Sequence, residues 1–207
     1  MLVSAIETIK GLKHFIVENA KSARAFLGAI GMSVRELDIT VVGENRDPLA
    51  SLRAQQSLGL LSEAGCPAIA DPGAEVIEAA HREGFRVVPL VGPSSIVLAL
   101  MASGLEGQRF AFLGYLPRES AERAKRIREI EQRSTRENES EIFIETPYRS
   151  DVLLGALLES CNPTTKLCVA VDLTLESESV KTRSIAEWRR AKTTIGKHPA
   201  VFVLQAT

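Results

Sequence analysis

The sequence predicts an α/β fold in two domains. Three observations predict it. Short apolar runs of strand length alternate with longer stretches of helical period. The alternation breaks near residues 105–110, ahead of an almost wholly polar helix and a second group of strands. Hydrophobic residues make up 45% and charged residues 25%, ordinary for a globular protein, and 207 residues fit one large domain or two small ones. The expected domains are 1–106 and 107–207.

In the first half, "HFIVE" (14–18) reads as a strand and "AKSARAFLGAIG" (20–31) as a helix closed by Gly31. "LGLLS" (58–62) has the form of a strand buried on both faces. "AEVIEAAHREG" (74–84) carries helical spacing and a glycine stop, and "FRVVPL" (85–90) reads as the next strand. "SSIVLALMASG" (94–104) is an apolar helix with a serine N-cap. A strand–helix–strand–helix order calls for parallel strands with helices on the sheet faces. In the second half, strands are expected at 109–117, 142–145, 166–172 and 200–205, and helices at 149–160 and 184–191. The segment 118–141 holds seven basic and seven acidic residues. Its pairs Glu119–Arg123, Glu122–Arg126 and Glu129–Arg133 suit an exposed helix.

Bulk properties exclude several classes. The net charge of −1 gives no whole-chain attraction to nucleic acid. Three cysteines without CxxC spacing argue against a disulfide framework and a zinc knuckle, and the three histidines are scattered, so no metal is expected. Charges interrupt the start of the chain, and no apolar run approaches ~18 residues. No membrane partner is expected, and the expected compartment is the cytoplasm. GxGxxG, Walker, HExxH and GxSxG patterns are all absent.

Four segments can carry chemistry, and each has a plainer structural role beside it. "SEAGCPAIADPG" (62–73) leaves a strand end, where open parallel sheets bind ligands. Gly65 lets a ligand approach the backbone, and Pro67 and Pro72 stiffen the loop. The same residues also make a rigid turn with Asp71 as a helix cap. Ser94 and Ser95, after Pro93, sit at unpaired helix N–H groups, where they bind a ligand or cap a helix. Arg123, Lys125, Arg126 and Arg128 touch phosphates or form a solvated face. "FIETPYR" (143–149) ends a strand in Glu145, with Thr146 and Pro147 opening a helix that has Tyr148 and Arg149 on its first turn.

In this order, "LLSEAGCPAIADPG", "VVPLVGPSSIVLALMASGL", "RFAFLGYLP", "IFIETPYR" and "CVAVDLT" resemble the tetrapyrrole methylase family across nearly the whole chain. The nearest branch is the one containing ribosomal RNA small subunit methyltransferase I. Glu63 stands where that branch has Asp, Val91 where it has Pro, and Asp172 where it has Glu. Asn19, Ala20 and Lys21 replace the last three positions of its E-D-T-R segment. The family opens with a strand and a Gly/Pro-rich loop, whereas this chain starts after them, near Leu2. An omitted N-terminal segment and an open sheet edge are therefore expected. The link from "VVGENRDP" to "SLRAQQ" is also short against the family.

The resemblance implies two α/β domains with a cofactor cleft between them, binding S-adenosyl-L-methionine. Ser62, Glu63, Ala64, Gly65 and Pro67 would hold its methionine end, with Pro93, Ser94 and Ser95 on the other side. Glu145, Thr146, Leu173, Thr174, Pro199 and Ala200 would surround the adenine. Glu18, Lys21 and Glu63 are candidate catalytic groups, none of them singled out as an essential base. The implied activity is methyl transfer to RNA, with a homodimer as the expected assembly. A tetrapyrrole C-methyltransferase and a non-catalytic S-adenosylmethionine-binding protein are the alternatives.

Overall fold

The computed structural model describes residues 3–44 and 46–206. Leu2, near the start of the family resemblance, and Asn45, in the link from "VVGENRDP" to "SLRAQQ", lie outside them. The chain divides into two compact units, Met1–Ser94 and Ser95–Thr207.

The first unit is built on β1 (His14–Val17), flanked by β2 (Asp38–Val41) and β3 (Leu58–Leu61) in the parallel order β2-β1-β3. β1 is the central strand, and Phe15, Ile16 and Val17 are buried. Phe15 and Val17 pack with Ile9 of α1 (Val3–Lys10) and with Ala23 and Leu27 of α2 (Ala20–Ala29). Asn19 caps α2: its Oδ1 accepts from the N–H groups of Lys21 and Ser22 at 2.9 and 3.3 Å. One departure from the family pattern thus has a structural role here. Between β2 and β3, α3 (Ala50–Arg53) ends in Arg53, whose guanidinium joins Asp47 to Glu83 just beyond α4 (Ala74–Arg82).

Two expectations fail in this unit. β3 is only half-buried and, among the described residues, pairs with β1 alone, so it is an edge strand and not one covered on both faces. "FRVVPL" (85–90) forms no strand. Val87, Val88 and Leu90 are exposed, and β-branched residues without a neighbouring strand have nothing to pair with. Local composition was right for a strand; the partner that would make it one is not supplied by the described residues.

The second unit is a five-stranded mixed sheet between helices. Its elements are α5 (Ser95–Ser103), β4 (Phe110–Tyr115), α6 (Ser120–Glu137), β5 (Ser140–Glu145), α7 (Ser150–Ser160), β6 (Lys166–Val171), β7 (Ser179–Ser184), α8 (Ile185–Ala191) and β8 (Ala200–Gln205). The strand order is β4-β5-β8-β6-β7. Only β4 and β5 run parallel; β8 is antiparallel to β5 and β6, and β7 to β6. Alternate residues of each strand feed two cores. Phe143, Leu167 and Phe202 face Ile127, Leu157 and Trp188, while Ile142, Cys168 and Val203 face Ile96, Ala99 and Leu100. α5 packs on β6, β7 and β8, which is why the contact division falls at 94/95, ahead of the 106/107 boundary read from the sequence. The turn 146–149 precedes α7, so Tyr148 and Arg149 lie before the helix and not on its first turn.

α6 largely settles its own charges. Arg123 is buried and donates to the carbonyls of Pro117 and Arg118 at 3.4 and 2.7 Å, and Arg126 pairs with Glu129 at 3.3 Å. Two of the four residues proposed as phosphate contacts are thus engaged within the helix and its lead-in.

Glu141, at the start of β5, is fully buried, and neither carboxylate oxygen has a hydrogen bond among the described residues. Arg133 lies 3.3 Å away but also serves Glu139. Burial pushes the Glu141 carboxyl up to about 7, against the pull of Arg133 and with the push of Glu139. A carboxyl raised on folding penalises the fold above pH about 7, and the penalty fades as pH falls toward the unfolded value near 4.5. The fold should therefore gain stability on going from pH 8 to 5.5. Glu141→Gln should raise the melting temperature at pH 8 and flatten that dependence, which thermal melts at the two pH values measure.

Candidate functional site

In the first unit, the strand ends and the loop after β3 gather three carboxylates. Glu18 follows β1, and its Oε2 accepts from the Glu63 N–H at 2.8 Å, which fixes where the 62–67 loop leaves β3. The Glu18 N–H in turn donates to the Leu61 carbonyl at 3.1 Å. Asp71 lies close enough to both to feel them. Burial, then the charge of Glu18, and more weakly that of Glu63, raise its carboxyl above the ordinary value, against a hydrogen bond from Ser62. Three acids near one loop leave a surplus of negative charge, and the group that relieves it is a cation.

The loop is also held in an unusual conformation. Gly65 has φ +90° and Gly73 φ +121°, as glycine allows, but Ala68 and Ala70 are left-handed too, at +65° and +63°. An L-residue there is disfavoured and persists where surrounding structure imposes it. Glu63, Ala64 and Gly65 are exposed, and Ser62 and Pro67 are half-buried. Cys66 Sγ sits 3.5 Å from the Pro93 carbonyl, tying the loop to the segment ahead of Ser94. Glu18→Ala should free the Glu63 amide. Its protection from hydrogen exchange should fall about tenfold, the worth of one charge-assisted hydrogen bond.

Lys21, the remaining candidate catalytic group, lies on the first turn of α2 with its side chain exposed. α5 begins at Ser95, one residue after Ser94.

In the second unit, the sheet register brings the remaining candidates to one end. Glu145 pairs with Ala200, and Val171 pairs with Ala200 from the other side, so Thr146, Leu173, Thr174 and Pro199 extend from the same edge. Glu145 is buried and internally committed: Oε1 accepts from the Thr146 N–H at 2.7 Å, and Oε2 lies 3.0 Å from Arg149 Nη2. Asp172 and Thr174 are both left-handed, at φ +52° and +71°. A β-branched residue in that region is an outlier and marks a constrained turn.

One group here escaped the sequence. His198 Nδ1 lies 2.7 Å from Oδ2 of Asp172, whose carboxylate is buried, and Ser177 Oγ donates to the same oxygen at 2.8 Å. The strand order places the turn after β6 beside the loop before β8, and no spacing in the chain announces that. Asp151 pins the loop, accepting from the N–H groups of Ile195 and Gly196 at 2.6 and 3.1 Å.

Comparison with known proteins identifies relatives. The ribosomal RNA small subunit methyltransferase I of Mesorhizobium japonicum is 32% identical over 184 residues, which is 87% of this chain and 61% of that protein. The protein of the same name from Xylella fastidiosa is 33% identical over 174 residues, 82% of this chain and 62% of its own length. The chain is a relative of the ribosomal RNA small subunit methyltransferase I proteins. The resemblance to that branch, read from "LLSEAGCPAIADPG" and "IFIETPYR", is borne out by these relatives. The chain spans about three fifths of the length of these relatives. No family-wide sequence profile matches it. The crystal structure of the methyltransferase CobJ shares the fold, with a TM-score of 0.62 at 13% identity over 100% of this chain and 88% of that one. Among the described residues no helix is long and apolar enough to cross a membrane, and no cluster of His, Cys, Asp and Glu forms a metal site.

Proposed function

We propose that the chain binds S-adenosylmethionine and transfers its methyl group to RNA, by the resemblance a 2′-hydroxyl of small-subunit ribosomal RNA. The observation that carries the reading is the loop after β3. Its backbone is held by Glu18, its tip is exposed at Gly65, and the carboxylates of Glu18, Glu63 and Asp71 lie around it. That arrangement fits a ligand carrying an ammonium and a sulfonium group. The names of the relatives support the RNA acceptor.

The cofactor, when bound, supplies a methyl group already activated on sulfur. What is left for the chain is to hold, orient and exclude water. Ser62, Glu63, Ala64, Gly65 and Pro67 would bind the amino-acid end through backbone and carboxylate, with Pro93, Ser94 and Ser95 as further contacts. Glu145, Thr146, Leu173, Thr174, Pro199 and Ala200 are the proposed adenine contacts of the second unit. A homodimer through the first unit, working in the cytoplasm, belongs to the same proposal.

Calorimetric titration with S-adenosylmethionine and S-adenosylhomocysteine tests it. Saturable binding, lost in Gly65→Trp and Ser94→Trp, is the expected result. Folded protein that binds neither ligand would overturn the reading. Binding without labelled methyl transfer to small ribosomal subunits would leave a non-catalytic cofactor-binding protein. Sedimentation gives the assembly state.

A further inference from the structure

We propose that a cavity on the α8 side of the second sheet is a ribose-phosphate site, with His198 accepting a sugar hydroxyl and Lys181 pairing with phosphate. The cavity measures about 260 Å³. That is smaller than the range of drug-sized pockets and suits one ring with one substituent. Val169, Val171, Ile195 and Trp188 give it an apolar floor, and Ser177, Ser179, Thr193 and Thr194 contribute hydroxyls to its wall. A few converging polar groups over an apolar floor are what a sugar requires, since its ring faces are apolar and its rim is not.

Two groups define the ligand. His198 gives its Nδ1 to the buried Asp172 carboxylate. A carboxylate only accepts, so Nδ1 carries the proton, and in the neutral ring Nε2 is left as an acceptor. Ser177 bonds Asp172 and not His198, so the arrangement is an oriented acceptor and not a nucleophilic triad. Asp172 keeps its negative charge, since a neutral imidazole and a hydroxyl donate to it without cancelling it, but the carboxylate is buried and both donors occupy its Oδ2. Lys181 lines the same cavity, is exposed, and has no ion pair among the described residues. The exposed charge of the lining is the Lys181 ammonium, and its acid, Asp172, is buried, so a charged substituent that pairs at the rim is an anion. The left-handed turn at Asp172 and Thr174, with the 195–196 loop pinned on Asp151, holds the acceptor in place before any ligand arrives. A hydroxyl for His198 beside an anion for Lys181 is the chemistry of ribose phosphate. It comes either from RNA or from a free sugar phosphate; the RNA source rests on the function proposed above, and the site does not.

The test follows the imidazole signals of the intact chain by NMR. The chain has three histidines, so His198→Gln assigns the third signal. Ribose 5-phosphate should move the His198 signal. The 2′-deoxy sugar should bind about fivefold more weakly, the worth of one hydrogen bond to the 2′-hydroxyl. Lys181→Ala should weaken binding about tenfold and reduce its salt dependence. His198→Gln should erase the ribose–deoxyribose difference. An unmoved His198 signal at about 10 mM sugar phosphate would overturn the site. So would variants that leave binding unchanged, which would make Lys181 an ordinary guard on an edge strand. An oligouridylate that binds more tightly than the monomer supports the RNA source, and equal binding overturns that source alone. Absence of methyl transfer would sink the proposed function while leaving these shifts as they are.

Discussion

Glu131→Ala should destabilise the protein by about 2–4 kcal/mol, the cost of losing hydrogen bonds to a buried carboxylate and leaving a buried hydroxyl without its acceptor. Glu131 is buried on α6. Its carboxylate accepts from the Asn162 N–H at 2.7 Å, from Asn162 Nδ2 at 3.0 Å and from the Thr165 hydroxyl. Asn162 and Thr165 belong to the turn between α7 and β6, so one side chain holds that turn against a helix. The three bonds do not simply add, because the unfolded carboxylate is well solvated. The alanine variant loses them and leaves the buried Thr165 hydroxyl without its acceptor, while the N–H groups of the exposed Asn162 pass to water. Glu131→Gln keeps one acceptor oxygen but turns an N–H₂ toward existing donors, so it should cost about 1–3 kcal/mol. Urea unfolding measures both. A midpoint that falls at constant slope assigns the loss to the folded state. Unchanged midpoints would show that the turn is held by its apolar packing alone.

The contrast between what the sequence showed and what it hid has a physical cause. Runs such as "HFIVE", "KLCVAVD" and "AVFVLQ" are strands because their own residues fill a core, and local composition records that. "FRVVPL" has the same composition and no strand, because strand formation needs a neighbour as well as a propensity. β7, "SVKTRS", is the reverse: a polar edge strand whose register with β6 is supplied by the sheet. The loop after β3 could be found from its glycines and prolines, which report on backbone shape. The acids around it could not be grouped, because Glu18, Glu63 and Asp71 meet only when β1 and β3 pair. His198 is the clearest case: its meaning lies in Asp172, and their meeting is fixed by the strand order β8-β6.

Gly73→Val should cost about 3 kcal/mol or more and should also weaken whatever the 62–73 loop binds. Gly73 is buried at φ +121°, the residue that turns the loop into α4. A Cβ there would lie 2.9 Å from Leu60 Cδ2, inside the first sheet of the molecule. A β-branched side chain meets both the backbone strain and that contact, so the half-buried Leu60 side chain must also turn aside. Gly65 separates the two effects. It has φ +90°, yet a Cβ there meets nothing within 4 Å. Gly65→Ala should therefore cost about 1 kcal/mol of conformational strain and no more. Thermal melts with and without S-adenosylmethionine distinguish the outcomes. If the loop holds the cofactor, the stabilisation by ligand should survive in Gly65→Ala and shrink in Gly73→Val, measured below the variant's own melting transition. If both variants keep the full ligand shift, the glycine of "DPG" serves the fold alone, and the cofactor contacts must be sought away from this loop.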